Sequence, residues 1–310
     1  METLVNQFIH ETTWDDLPPD VRHQARRCLL DTLAAGIGGR ATELSQIIHN
    51  FAAAAFGGQG AKLWLDGREV SPPGAALANG MTVDALDIHD GHSLTKGHAG
   101  AAVVPGLFAV VFSEDAAGVT GKEFLTALVI GYEIALRAGM ALHETACDYH
   151  TSGAWNALGV AALAARRFGL NRDRTWHALG IAEYHGPRSQ MMRCIDHPAM
   201  VKDGSGWGAM TGISAAFLAR ANFTGAPALT VMTSCRSKGW RSSVAWPTVA
   251  GAALSHPGRS SSAIHSGASW RPSSSMPSGI APPHAVATSA PRVTRIVAKR
   301  FIPTPSNSAY

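Results

Sequence analysis

The stretch Ser152-Gly-Ala-Trp-Asn-Ala-Leu-Gly-Val-Ala-Ala-Leu-Ala-Ala-Arg-Arg-Phe168 gives the clearest indication of fold class in this sequence. Its length and alanine content predict a helix, and its small side chains allow other helices to pack closely against it. Apolar residues also recur at helical spacing in the segments 18–39, 44–55, 73–82, 103–112, 121–142, 172–182 and 204–221. The sequence therefore predicts an all-α core.

One β-hairpin is expected within this helical pattern. Lys62-Leu-Trp-Leu65 and Arg68-Glu-Val70 flank the pair Asp66-Gly67, which is typical of a tight turn between two strands. Almost no other segment alternates between apolar and polar residues, so the hairpin is expected to be an appendage of the helices.

Composition excludes several classes of protein. A chain of 310 residues with 46% hydrophobic content can bury a large core and is not a small binding module. Its four cysteines form no CxxC pair, which is typical of free thiols in a reducing compartment. The N-terminus lacks the pattern of a secretory signal, and no apolar run approaches the roughly 18 residues that span a bilayer. We expect a soluble, cytoplasmic protein without a membrane partner.

The last part of the chain differs in character. No Asp or Glu follows Asp203, although the chain has 22 of these residues in total. Residues 232–310 are rich in Ser, Pro, Gly and Arg, as in Trp270-Arg-Pro-Ser-Ser-Ser-Met-Pro-Ser-Gly279. A disordered tail, a basic nucleic-acid-binding extension and an out-of-frame reading of a GC-rich gene would all give this composition. The last of these fits best, and no nucleic-acid-binding motif accompanies the scattered charges.

We therefore expect two parts, a helical domain over residues 1–231 and an irregular tail over residues 232–310. The tail is expected to be largely unstructured and to contribute no catalytic residue, because it lacks the apolar burial that offsets chain entropy.

A polar run between two apolar helices has the composition of an active site. It reads Asp84-Ala-Leu-Asp-Ile-His-Asp-Gly-His-Ser-Leu-Thr-Lys-Gly-His98. Histidines and tuned carboxylates can move protons near neutral pH without a cofactor. Asp90 and His98 are expected to converge across a turn rather than along one helix face. The alternative is a His/Asp metal site of a metallohydrolase, formed by His89, Asp90, His92 and His98.

Four further residues are candidates for substrate contact. His150 opens the small-residue helix, where backbone N–H groups can hold a carboxylate. Lys202 lies beside a glycine-rich turn, and Arg188 and Arg193 can bind carboxylates in a bidentate manner. A capping-region histidine and solvated basic side chains are the alternatives at these positions.

The combined pattern resembles the MmgE/PrpD family, which includes 2-methylcitrate dehydratases, cis-aconitate decarboxylases and iminodisuccinate epimerases. The likeness covers residues 1–231 and rests on the order and spacing of several motifs. These are Leu30-Asp31-Thr32-Leu33 with Gly36-Ile37-Gly38-Gly39, Ala85 to Asp90 with His98 and Pro105, His150-Thr151-Ser152-Gly153, Val201-Lys202-Asp203-Gly204, and Thr224-Gly225-Ala226-Pro227.

The resemblance implies a cofactor-free and metal-free lyase or isomerase, 2-methylcitrate dehydratase-like, that dehydrates, decarboxylates or epimerises a small di- or tricarboxylate. It also implies a homodimer and a large helical domain with a smaller α+β lid. Carried onto this chain, the catalytic residues are Asp90, His98, His150 and Lys202. The substrate-binding residues are His92, Lys96, Arg188 and Arg193.

Two departures from the family pattern limit this assignment. His89 precedes Asp90 where the family has an Asp-Asp pair, which leaves the substrate open. The lid, with its basic residue and its Tyr-Pro-Cys-like segment, has no counterpart after Val231, so it is expected to be missing or replaced by the tail. The expectation is then an open pocket with reduced activity or none, because water weakens electrostatic contacts to the substrate. A catalytically dead remnant is the third alternative.

Overall fold

The computed structural model describes residues 2–113 and 118–237, and its fold in this part of the chain is mostly helical. The expectation of an all-α core is confirmed. The helices are α1 (Glu2–Glu11), α2 (Pro19–Gly39), α3 (Glu43–Ala55), α4 (Pro72–Asp84), α5 (Gly100–Val111), α6 (Gly121–Thr145), α7 (Gly153–Arg167), α8 (Arg172–His185), α9 (Met192–Asp196), α10 (Ser205–Arg220) and α11 (Leu229–Ser237).

The predicted hairpin is present as two short strands, β1 (Ala61–Lys62) and β2 (Glu69–Val70). They pair antiparallel, with Ala61 opposite Val70 and Lys62 opposite Glu69. The Asn79 side chain of α4 fixes the hairpin, because it accepts from the Trp64 N–H at 2.9 Å and donates to the Lys62 carbonyl at 3.0 Å.

Polar side chains cap the N-terminal ends of three helices. Thr42 caps α3 by accepting from the Ser45 N–H at 3.2 Å, and Thr120 caps α6 by accepting from the Glu123 N–H at 3.2 Å. Side-chain oxygens at this position satisfy backbone donors that the first turn of a helix leaves unpaired. The N-cap Asn171 of α8 does the same for Arg174 at 2.9 Å.

Helix α7 lies at the centre of the fold, packed against α5, α6, α8 and α10. The Trp155 side chain is fully buried there, and nearly every residue of α7 is buried with it. Small residues allow the helices to pack this closely, because their backbones can come into direct contact. At Gly159, an added Cβ would lie 2.3 Å from the Gly131 carbonyl oxygen of α6, so no larger side chain fits there. The small residues of the sequence therefore set the distances between helices.

Helix α6 has 25 residues and is long and apolar enough to cross a membrane by length and composition, contrary to the expectation drawn from the sequence. Its most apolar 18-residue window is 94% buried inside the fold. Such burial is that of a core helix, whose apolar surface is covered by protein.

The expected boundary after residue 231 falls within α11, which continues to Ser237. Residues 238–310, which hold most of the expected tail, lie outside the described residues. The interpretation of the tail stays a prediction.

The contact between α4 and α10 offers a test of this packing. A Cβ on Gly80 would lie 2.6 Å from the Gly206 Cα, a separation that real structures do not show. We expect Gly80→Ala to lower the free energy of unfolding by about 2 kcal/mol, because overpacking forces the two helices apart. Urea unfolding followed by circular dichroism measures this change.

Gly121→Ala is the matched control, since Gly121 is also helical and nothing lies within 4 Å of its added Cβ. This variant should be neutral or stabilised by up to about 1 kcal/mol. Equal stability of the two alanine variants would contradict the close approach of α4 and α10.

Candidate active site

The polar run between α4 and α5 forms a loop over residues 85–99 that begins where α4 ends at Asp84. The loop turns sharply, because Asp87 and Lys96 both adopt left-handed backbone conformations, with φ of 53° and 48°. A backbone bond from the His92 N–H to the Gly97 carbonyl, 2.9 Å long, closes residues 92–97 into a small turn.

A buried ion pair anchors the start of this loop. The His89 Nε2 lies 3.1 Å from Asp84 Oδ1, and both side chains are almost completely buried. Burial alone would lower the His89 pKa, but the hydrogen bond to Asp84 and the charges of Asp84, Asp90 and Asp87 raise it to about 9. Burial likewise opposes ionisation of Asp84, yet bonding to His89 lowers the pKa of Asp84 below its usual value. The pair is therefore carboxylate and imidazolium at neutral pH.

Three hydrogen bonds hold His98. Its ring Nδ1 donates to the Asp90 carbonyl at 2.6 Å, which fixes the ring. Its backbone N–H donates to Ser152 Oγ at 3.0 Å, and its backbone carbonyl accepts from Asn156 Nδ2 at 2.7 Å. A carbonyl can only accept, so the neutral ring carries its proton on Nδ1 and leaves a lone pair on Nε2. That Nε2 lies 3.5 Å from Asp87 Oδ1, and the His98 side chain is 25% exposed.

Asp90 contacts His98 through its backbone and not through its carboxylate. The carboxylate is buried and accepts from the Gly100 N–H at 3.4 Å, at the start of α5, where the helix dipole favours negative charge. A Cβ on Gly100 would collide with Asp90 Oδ1, Thr32 Oγ1 and the Tyr132 hydroxyl, so these polar atoms converge there. Asp90 thus positions the ring of His98 by means of its carbonyl.

The turn before α10 brings a second acid to this cluster. The Asp203 N–H donates to Asp84 Oδ2 at 3.3 Å, while Asp203 Oδ1 accepts from the Ser152 N–H at 2.8 Å. Burial and the nearby charge of Asp84 raise the Asp203 pKa to about 6, although bonding to Ser152 and the charge of His98 oppose this. Because Ser152 also bonds to His98, the loop 85–99, the Asp203 turn and the start of α7 meet at one place.

Lys202 immediately precedes Asp203 in this turn, with a left-handed φ of 49° and a half-buried side chain. The ion pairs found between described residues do not include its ammonium group. The hydrogen bonds of Asp203 therefore place the backbone of Lys202 beside the cluster.

His150 lies on the other side of Ser152 and pairs with Arg188. The Arg188 Nη2 lies 2.8 Å from His150 Nε2, and Asp148 Oδ1 lies 3.2 Å from His150 Nδ1. A guanidinium can only donate, so His150 Nε2 is the acceptor. Burial and the Arg188 charge lower the His150 pKa, which keeps this histidine neutral at neutral pH.

Of the remaining expected site residues, His92 lies within the turn 92–97, and Lys96 and Arg193 lie at the protein surface. His92 is buried, and its Nδ1 accepts from the Thr95 N–H at 3.3 Å. Lys96 is exposed, and its carbonyl accepts from the Tyr149 hydroxyl. Arg193 is exposed, with Nη1 3.4 Å from Ser189 Oγ.

The metal ligands expected from the sequence differ from the possible metal ligands that the fold brings close together. Asp87, His89 and His98 each offer a ligand atom within 4.8 Å of the others, and neither Asp90 nor His92 belongs to this group. The sequence analysis assigns no role to Asp84, Asp87 or Asp203. Of these three acids, spacing could have indicated Asp84 alone, because Asp84 lies at the end of a predicted helix and His89 follows it five residues later.

A separate apolar cavity of about 730 Å³ lies between α2, the hairpin and α5. It is lined by Leu33, Trp64, Phe108 and Phe112, among others, and by none of the residues of the His98 cluster. Its lining is mostly apolar and contains Lys62 and Glu69 but no histidine, so the cluster remains the better candidate for proton transfer near neutral pH.

Comparison with known proteins places the chain within a family. The sequence profile of the MmgE/PrpD N-terminal domain matches residues 4–239. The chain is 28% identical over 239 residues to the cis-aconitate decarboxylase-like protein oryM of Aspergillus oryzae, covering 70% of this chain and 46% of that protein. It is 29% identical over 175 residues to cis-aconitate decarboxylase of Aspergillus terreus, covering 54% and 35%. With human cis-aconitate decarboxylase the identity is 29% over 226 residues, covering 70% and 45%. The chain spans less than half the length of these curated relatives.

The raised pKa of Asp203 predicts a pH dependence of stability. The folded state binds this proton more tightly than the unfolded chain, whose ordinary value is 3.8, so stability falls as pH rises from about 4 through about 6. We expect Asp203→Asn to remove this part of the decline, on the order of 3 kcal/mol, since Asn keeps the acceptor for Ser152 without the charge. Urea unfolding across this pH range measures the difference.

Asp196→Asn, at an exposed position on α9, is the control and should follow the unmodified protein. If Asp203→Asn keeps the slope of the unmodified protein between these pH values, Asp203 is not the group responsible.

Proposed function

Because the chain belongs to the MmgE/PrpD family, we propose that it is the helical part of a lyase that decarboxylates a small tricarboxylate of the cis-aconitate type. The proposal places proton transfer on His98. Its support is the fixed ring of His98, whose Nδ1 donates to the Asp90 carbonyl and whose Nε2, the nitrogen that takes up and delivers the second proton, lies beside Asp87 in a partly exposed position. The names of the relatives favour decarboxylation over the 2-methylcitrate dehydration expected from sequence.

The chemistry requires a proton donor and cations. When the bond between carbon and a carboxylate breaks, carbon dioxide leaves and the electron pair stays on a carbon conjugated with a remaining carboxylate. A protonated His98 can deliver a proton from Nε2 to that carbon. Asp87 Oδ1 lies 3.5 Å from His98 Nε2 and so faces the proton that the protonated ring carries on this nitrogen.

Substrate carboxylates need positive partners, because Asp84, Asp87 and Asp90 make the cluster itself acidic. The His89 imidazolium offsets Asp84, and we propose that Lys202 supplies the cation nearest to the cluster. Arg188 is well placed to bind a second carboxylate beside the neutral His150.

Lys96 and Arg193 are proposed to contribute positive potential at the exposed rim. In this proposal Asp90 and His92 act on the shape of the loop and do not contact the substrate.

The test is an assay of the purified protein with cis-aconitate, 2-methylcitrate and iminodisuccinate. We expect carbon dioxide release from cis-aconitate, and a loss of at least about 100-fold in kcat for His98→Gln, because Gln cannot exchange a proton at neutral pH. His23→Gln, at an exposed position of α2, is the control and should keep full activity.

Two outcomes would contradict the proposal. One is a folded protein that turns over none of the three substrates. The other is a His98→Gln variant with undiminished kcat on the substrate that the protein does turn over.

A further inference from the structure

We propose that Asp87, His89 and His98 form a binding site for a divalent transition-metal ion, for which Zn²⁺ is the best match. Each residue offers a ligand atom within 4.8 Å of the other two, and Asp87 Oδ1 lies 3.5 Å from His98 Nε2. Two imidazoles and one carboxylate are a donor set that zinc accepts, with a fourth position left for water. The inference does not rest on the proposed lyase activity.

The distances suit a small ion. Zinc bonds to nitrogen and oxygen are about 2.0–2.2 Å, so neighbouring ligands of a tetrahedral ion lie roughly 3.3 Å apart. The separation of 3.5 Å between Asp87 and His98 already matches this value. The Asp87 side chain is 63% exposed, so it is free to rotate and close the remaining gap.

Both imidazoles have the outer hydrogen bonds that orient metal-bound histidines. His98 donates from Nδ1 to the Asp90 carbonyl at 2.6 Å, which directs its Nε2 toward Asp87. His89 Nε2 is bonded to the Asp84 carboxylate at 3.1 Å, in a carboxylate–histidine arrangement common around metals. These bonds restrict each ring to one nitrogen for coordination.

The nitrogen left on His89 lacks a partner. The His89 side chain is completely buried, and its Nδ1 has no hydrogen-bond partner among residues 2–113 and 118–237. A buried polar atom without a partner is costly; a divalent ion that displaces the Nδ1 proton of the His89 imidazolium into solvent would satisfy it.

Charge at the cluster also favours a cation. Asp84, Asp90 and Asp87 all act electrostatically on His89, and Asp203 acts on Asp84. Three neighbouring acids and one coordinating carboxylate attract a divalent ion to this place.

Occupation of the site would engage the His98 nitrogen that the proposed lyase uses, so zinc should inhibit that activity. Metal binding is measured independently of turnover, which separates failure of this inference from failure of the proposed function.

The experiment is calorimetric titration of the chelator-treated full chain with Zn²⁺, with Co²⁺ absorption as a second readout. We expect one ion per chain with a dissociation constant of roughly 1 µM or below, and a visible Co²⁺ band typical of tetrahedral coordination. Asp87→Asn should weaken zinc binding by at least about tenfold. Because Asp87 is exposed, this variant should fold even if His89→Asn, at a buried position, does not.

Two controls exclude other sites. His23→Gln changes an exposed histidine and Cys147→Ser an exposed thiol, and both should bind zinc as the unmodified protein does. The inference is overturned if the full chain binds no zinc at about 100 µM, if Asp87→Asn binds as tightly as the unmodified protein, or if Cys147→Ser abolishes binding.

Discussion

The buried carboxylate of Asp84 bonds to two segments that lie far apart in the chain. It pairs with His89 five residues later and accepts from the Asp203 N–H, 119 residues away. Burying a single charge would cost several kcal/mol, and the His89 imidazolium offsets this cost only if its ring stays in place. The loop 85–99 and the turn that carries Lys202 are therefore both fixed to the end of α4, and the position of His98 depends on this arrangement.

Two neighbouring buried acids differ in pKa because their partners differ. Asp84 has a cationic partner and a lowered pKa, whereas the Asp203 carboxylate accepts from the neutral Ser152 N–H and has its pKa raised to about 6. A split of this kind is common where a protein places carboxylates together for chemistry. Because a pKa of about 6 still lies below neutral pH, Asp203 is mostly ionised there, and a site proposed to receive an anionic substrate depends on the neighbouring cations.

Sequence reasoning found most of the fold, because helical periodicity and small residues are local signals. It located α2, α3, the hairpin and α7 closely, but it missed α1, α9 and α11, which are short. It proposed the loop 85–99 and His98 for the site, which stay predictions, and it chose Asp90 as the acid beside His98. The carboxylate facing His98 belongs to Asp87, whose left-handed φ of 53° leaves no mark in the apolar pattern. Loop geometry of this kind arises from tertiary contacts that periodicity does not encode.

The charge state of His89 tests the central role of Asp84 most directly. Nitrogen-15 NMR of the histidine side chains, recorded against pH with a chelator present, measures the His89 pKa in the full chain. The account predicts a pKa of about 9, and a clear fall of that pKa in Asp84→Asn, where burial is opposed only by the charges of Asp90 and Asp87. A His89 that titrates at or below 6.5 in the unmodified protein would contradict the account, because Asp84 would then not hold the loop by an ion pair.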